Sequence, residues 1–276
     1  MEQTSARRPP LVAAFALILF GLGSTVLSAK TIEYKLDPAL YGHLDQHDID
    51  CKLVGCGPAA AANSFLFLQQ NNSDLYKGGN TLVPKKSGAF DLVGVANELG
   101  GLMGCDASCS KGTLIEDFIL GKIAYFDKHA PGTTKVEAEM NFAWRSAKPK
   151  PGGVSDGTKP TLGWLADQLK NKQDVELFVG SSDDKVQHYI TLTGISFDDM
   201  TSKGSMWIVD PWDGKEHKIG IDGLTGGYID TDYTVNGKAA DFVYHAVAES
   251  PVPEPATWLL LVAGTSVLVF RRRRPE

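Results

Sequence analysis

Residues 55–68, Gly-Cys-Gly-Pro-Ala-Ala-Ala-Ala-Asn-Ser-Phe-Leu-Phe-Leu, leave the chain little conformational choice. Pro58 sets φ for a first helical turn and has no N–H to leave unpaired there. Ala59 to Ala62 follow it, and alanine is the strongest helix former. The pattern predicts a helix from Cys56 to about Gln70 that carries Phe65, Leu66 and Leu68 into a core. Asn71-Asn72-Ser73-Asp74 ends it. Cys56 then stands at the helix N-terminus, where the dipole and unpaired backbone N–H groups favour a thiolate.

The rest of the chain divides by hydrophobic period. Thr31 to Leu36 is strand-like. Asp91–Leu99 and Leu114–Phe118 read as shorter helices, joined by a Gly/Cys-rich loop at 100–112. Residues 147–160 form a loop or linker, and Thr161–Lys170 is amphipathic through Leu162, Leu165 and Leu169. From Val175 the period shortens, and Val175–Val179, Gln187–Ser196 and Ser205–Val209 read as successive strands. Helices followed by strands predict an α+β class, a helical lobe facing an antiparallel sheet with a site in the cleft between them.

Both ends carry signals. Arg7 and Arg8, the apolar stretch Leu11–Phe20 and the small-residue site Val26–Ala29 read as a signal peptide over residues 1–29. At the other end, Val252-Pro253-Glu254-Pro255 precedes an uncharged apolar stretch, Ala256–Phe270, and then Arg271–Arg274. Such a stretch is expected to form a transmembrane helix, with the arginines holding its end in the cytoplasm. The three parts in this order resemble the PEP-CTERM sorting signal of Gram-negative bacteria, here over residues 251–276. The resemblance implies export across the inner membrane, anchoring by the C-terminal helix, recognition by an exosortase, and a final place in the cell envelope, at the cell surface or outside the cell. The body between, 30–250, carries 21 Lys and Arg against 30 Asp and Glu, a net −9. With no basic stripe, nucleic acid is excluded as a partner.

A nucleophilic cysteine needs a base, and the base needs a group to orient it. His188 opens the strand-like His-Tyr-Ile-Thr-Leu-Thr, and Asp210 ends the apolar run Met-Trp-Ile-Val-Asp before Pro211. A carboxylate at the end of the next strand can accept the imidazole N–H. Cys56, His188 and Asp210 are therefore the candidate triad. Cys-Gly-Pro-Ala-Ala, His-Tyr-Ile and Val-Asp-Pro-Trp-Asp-Gly in that order resemble the papain-like cysteine peptidases, and more narrowly those that process bacteriocin leaders, over about residues 45–214. The resemblance implies a papain-like fold, a peptide or protein substrate and no cofactor or metal. It makes Cys56 the nucleophile, His188 the base and acid, Asp210 the orienting residue and an upstream glutamine the oxyanion donor.

Gln46 is the candidate for that last role, although it lies ten residues before Cys56, a longer gap than the family usually has. Cys51 stands nearer to the usual spacing and is a rival nucleophile, but Lys52-Leu53-Val54 after it offers no helix start. Cys105 and Cys109 could close a short disulfide, Cys51 could pair with either, and a zinc site including Cys51 and Cys56 is a further alternative. The other five histidines, His43, His47, His129, His217 and His245, show no metal-ligand spacing. Three functions remain in competition, the first two being a surface-sorted cysteine peptidase and a catalytically inactive module that binds peptide or exopolysaccharide. Another acyl transfer on the same triad, such as transglutamination, is a third.

Overall fold

The computed structural model describes residues 28–105 and 111–252. The signal peptide, apart from its last two residues, and the apolar stretch 256–270 lie outside these. So does Cys109. The chain runs β1 (Thr31–Lys35), α1 (Cys56–Asn71), the small hairpin β2 (Lys85–Lys86) and β3 (Ala89–Phe90), α2 (Leu92–Leu102), α3 (Ile115–His129), β4 (Thr134–Met140), β5 (Val154–Asp156) and α4 (Leu162–Lys170). It continues through β6 (Asp174–Gly180), β7 (Gln187–Asp198), β8 (Gly204–Asp210), β9 (Lys215–Thr225), β10 (Tyr228–Thr231), the small hairpin β11 (Thr234–Val235) and β12 (Lys238–Ala239), and β13 (Phe242–Pro251).

Nine strands form one mixed sheet, and helices make up only 26 % of the described chain. This overturns the expected papain-like α+β fold with separate helical lobe and antiparallel sheet. The first half is not a helical lobe: β1 pairs along β7, β4 pairs along β13, and β5 adds to β4 in parallel. Among the described residues no helix is long and apolar enough to cross a membrane. The expected transmembrane helix falls on residues outside the description.

Strand pairing returns on itself. β6 pairs with both β7 and β13, and the path β7–β8–β9–β10–β13 completes an antiparallel ring. Alternation along β6 shows why. Val175, Leu177 and Val179 join Ile190, Leu192, Ile208 and Ala246 in the core enclosed by the strands, where α4 adds Leu165 and Leu169. The opposite face of β6 and β7 meets α1, α2 and α3 through Phe178, Tyr189, Phe65, Leu99, Phe118 and Tyr125. Each such large side chain removed from water contributes about 1.5–3 kcal/mol. The alanines of α1 are fully buried. Their small size lets the helix backbone approach the sheet so closely that Thr191 Oγ1, on β7, donates to the Ala60 carbonyl at 3.1 Å. That contact fixes the height of the α1 N-terminus above β7.

A charged group is also buried on this face. Lys122 of α3 lies 2.5 Å from both Glu176 of β6 and Glu249 of β13, all three without solvent exposure, with Asp174 close by. The ammonium also sits over the Phe65 and Phe118 rings. Burial, and then the charge of Glu249, raise the Glu176 carboxyl to about 8 despite Lys122.

Candidate active site

Cys56 is the first residue of α1, and Gly55 before it offers no capping side chain. The helix's first N–H groups are thus left for the sulfur, and Gly57 supplies one of them. A Cβ on Gly55 would come within 2.5 Å of Ile49 Cδ1 and 2.9 Å of the Cys51 carbonyl. Only glycine turns the chain so tightly into this helix. Cys51 itself is buried in the preceding turn, where the Val54 N–H donates to its carbonyl at 2.9 Å. It is not at a helix start, and it lines neither of the two clefts that border Cys56.

His188 is the second residue of β7 and is held by its pairing with Val179 of β6. Asp210 ends β8. The register sets Val209 opposite Thr191, which places Asp210 beside Ile190 and on the same face as His188. His188 Nε2 lies 2.8 Å from Asp210 Oδ1, and the ring borders the same cleft as Cys56, close enough that each group shifts the other's pKa. The structure therefore brings together the three residues of the candidate triad from a helix tip and two neighbouring strands.

The electrostatics follow from this contact. Burial pushes the Cys56 thiol up, but the His188 charge and hydrogen bond, with help from the Tyr189 and Gly57 backbones, bring it below its ordinary value. Burial pushes His188 down, whereas the Cys56 charge and the Asp210 carboxylate raise it to about 9. A lowered thiol beside a raised imidazole favours a thiolate–imidazolium pair. Asp210 is lowered: burial opposes its charge, and hydrogen bonds from His188, Tyr233 and the Trp212 backbone outweigh that.

Tyr233 has no counterpart in the sequence reading. Its hydroxyl donates to Asp210 Oδ2 at 2.6 Å, while the Trp212 N–H donates to Oδ1 at 2.8 Å. Both carboxylate oxygens are thus occupied, and the one facing His188 cannot swing away. No local pattern marks Tyr233, because its contact with Asp210 spans 23 residues. The Trp212 bond was readable in principle, since an Asp before Pro commonly accepts from the backbone two residues on.

Gln46 is buried in the wall of the same cleft as Cys56 and His188. Two bonds hold its segment: the Gln46 N–H donates to the Pro211 carbonyl at 2.7 Å, and Asn63 Oδ1, from α1, accepts the Leu44 N–H at 2.8 Å. One proton of the Gln46 amide goes to the Lys52 carbonyl at 3.0 Å, and the other remains for a ligand. Gly214, at φ 65°, closes the turn after Asp210, and a Cβ there would meet the His43 carbonyl at 2.6 Å.

The cleft over the triad holds about 440 Å³ and includes Gln46, Cys56, His188, Trp212 and Lys238. A smaller cleft of about 310 Å³ also borders the thiol and is walled by Thr113, Leu114, Phe178 and Tyr189. Two carboxylate-bearing groups have metal-like spacing among the described residues: Asp210 with Asp213 and His217, and Asp174 with Glu176 and Glu249. In the first, Asp210 is engaged by His188, Trp212 and Tyr233. In the second, Lys122 already supplies the cation.

Comparison with known proteins bears on the C-terminus. No curated protein matches the chain, and no family model supports the resemblance to leader-processing peptidases. Residues 251–274 match the PEP-CTERM protein-sorting motif, which marks the chain as an exported protein sorted by an exosortase.

Proposed function

We propose that this exported protein is a cysteine peptidase acting through Cys56, His188 and Asp210. One observation carries the reading: a free thiol at a helix N-terminus shares a cleft with an imidazole that lies 2.8 Å from a buried carboxylate. This is the nucleophile–base–orienter arrangement that acyl transfer requires.

The Cys56 thiolate attacks a peptide carbonyl carbon, and the carbonyl electrons move to oxygen. The Cys56 backbone N–H and the remaining amide proton of Gln46 stabilise that oxyanion, with one good donor contributing about 3–4 kcal/mol. On collapse the C–N bond breaks, and His188 gives its proton to the departing amine. Water then loses a proton to His188, its oxygen attacks the thioester, and release of the carboxylic acid restores the ion pair. The sorting motif supports a place of action at the cell envelope, with exosortase cleavage near Pro253–Pro255 freeing the body from its C-terminal segment.

The bond from Gln46 to the Lys52 carbonyl favours a second reading, a peptide-binding module without turnover. Incubating the secreted body with a denatured protein, and with its Cys56→Ala and His188→Ala variants, separates the two. Cleavage by the wild type alone supports the peptidase. If a protein whose Cys56 is rapidly alkylated leaves every peptide intact, the peptidase reading is wrong. Products that incorporate an added amine would instead identify a transferase.

A further inference from the structure

The body of the chain is acidic, yet the walls around the thiol are not. Outside the triad, the ionised residues bordering the 440 Å³ cleft are Lys185, Lys238 and Asp184. The one bordering the 310 Å³ cleft is Lys111. Lys185 is paired with Asp183 at 2.6 Å. Among the described residues Lys111 and Lys238 stand in no ion pair. Even with Asp183 and Asp184 counted against them, the lysines leave the surroundings of Cys56 net positive.

Lys238 is the best placed of the three. It belongs to the small hairpin of β11 and β12, whose turn residues Asn236 and Gly237 have φ of 49° and 70°. A two-residue turn with both centres left-handed suits the twist of a tight hairpin. Val235 stands directly opposite Lys238, so the two side chains share a face, and both border the 440 Å³ cleft. Val235 and Ala240 are buried, and the Ala240 N–H donates to the Tyr233 carbonyl at 3.0 Å. Tyr233 holds Asp210 through its hydroxyl. The residue that fixes the orienting carboxylate thus also anchors the hairpin that carries Lys238, so the backbone of this lysine is set relative to the triad while its side chain is exposed.

A cleft with apolar walls and one dominant sign of charge focuses the field and gathers ligands of the opposite sign. The apolar wall here is made by Leu53, Val54, Trp212 and Val235. A lysine ammonium offers a point charge with three donors and no acceptor, so its partner is an anion. In a peptide that anion is a carboxylate, on an Asp or Glu side chain or at a free C-terminus.

We propose that the cleft over Cys56 selects peptides bearing a carboxylate close to the bond that is attacked, and that Lys238 is the residue that receives it. The proposal rests on the peptidase reading for the ligand's being a peptide. The preference for an anion rests on the lysines alone.

The test measures binding without turnover. The Cys56→Ala protein is titrated with N-acetylated peptides in which one position at a time bears Asp, Asn or Lys, each made with a free and with an amidated C-terminus. At low ionic strength one Asp peptide, or the free acid, is expected to bind about fivefold more tightly than its Asn or amide counterpart. The difference should shrink in about 0.5 M salt, which screens exposed charges. A preference that follows Asp over Asn assigns the carboxylate to a side chain, and one that follows acid over amide assigns it to the C-terminus. Lys238→Gln should remove the preference and Lys238→Glu reverse it. Lys170→Glu makes the same change in net charge at an exposed site that borders neither cleft, and it should leave the preference intact. Acidic peptides that bind no better than their neutral counterparts would overturn the proposal. So would a preference that survives Lys238→Glu, or one that Lys170→Glu abolishes equally. A wild-type protein that leaves every peptide uncut while Cys56→Ala keeps the preference defeats the peptidase reading alone, and cleavage indifferent to charge defeats this proposal alone.

Discussion

Tyr233→Phe removes one oxygen atom and keeps the ring that lies beside His188 at 6.3 Å between centroids. The lost hydroxyl donates to Asp210 Oδ2 at 2.6 Å in a buried site. Hydrogen bonds to charged groups contribute about 1.5–3 kcal/mol, against about 0.5–1.5 for neutral pairs. The substitution is therefore expected to cost about 1.5–3 kcal/mol at pH 7, read by urea denaturation. It should also raise the Asp210 carboxyl, because the ionised form loses one of the hydrogen bonds that lower it. The sign follows from linkage. Asp210 has its folded pKa lowered, so its contribution is present above the unfolded value and is lost as pH falls through the folded one. A double-mutant cycle isolates the charge. In an Asp210→Asn background the acceptor is neutral, and Tyr233→Phe should then cost only about 0.5–1.5 kcal/mol. If the hydroxyl costs the same in both backgrounds, Tyr233 packs beside the carboxylate without holding it, and the account of how His188 is oriented fails. A positioning role also predicts that the pH profile of Cys56 alkylation shifts in Tyr233→Phe, which loss of packing alone would not produce.

The remaining tests concern the ion pair and the buried charges. The rate of Cys56 alkylation by iodoacetamide should rise as the thiolate forms at a pH below that of an ordinary thiol. His188→Ala should move this midpoint up toward about 8.5, and an unmoved midpoint would show that the imidazole does not hold the thiolate. Peptide cleavage, if the proposed mechanism holds, should fall again above about 9, where His188 loses its proton. Above pH 8, where Glu176 is ionised, Lys122→Met leaves Glu176 and Glu249 without their cation and should destabilise the fold by about 3–5 kcal/mol; a loss below about 1 kcal/mol by urea denaturation at that pH would refute the buried pair. Glu176, raised to about 8, takes up a proton on folding, so its stabilisation is complete below its unfolded pKa and fades as pH rises toward 8. Glu176→Gln should therefore lose less stability than the wild type between pH 5 and 8, by up to about 1.4 kcal/mol per pH unit.

Much of the helix and strand content was legible because its period is local. The helix expected from Cys56 to about Gln70 spans Cys56–Asn71, and the strand expected at 205–209 spans Gly204–Asp210. Pro58 and the alanines specify the first, and a run of apolar residues specifies the second. β4, with sequence Thr-Lys-Val-Glu-Ala-Glu-Met, was missed because charged residues obscure its alternation, although Val136, Ala138 and Met140 are the buried set. β9 and β10 were missed because Gly, Asp and Thr crowd them and resemble turns. These omissions, and that of β13, produced the wrong fold class, since β4, β9, β10 and β13 turn a supposed two-part molecule into one large sheet.

Within the site, the sequence by itself determined residue chemistry: a thiol at a helix start, an imidazole opening a strand and a carboxylate ending one. The C-terminal sorting motif was likewise legible, because its three parts are contiguous. Only the tertiary structure decided that His188 and Asp210 share a face and that Tyr233 occupies the second carboxylate oxygen. Pairing register and helix height decide such contacts. Both depend on burial summed over many distant residues, which no local stretch encodes.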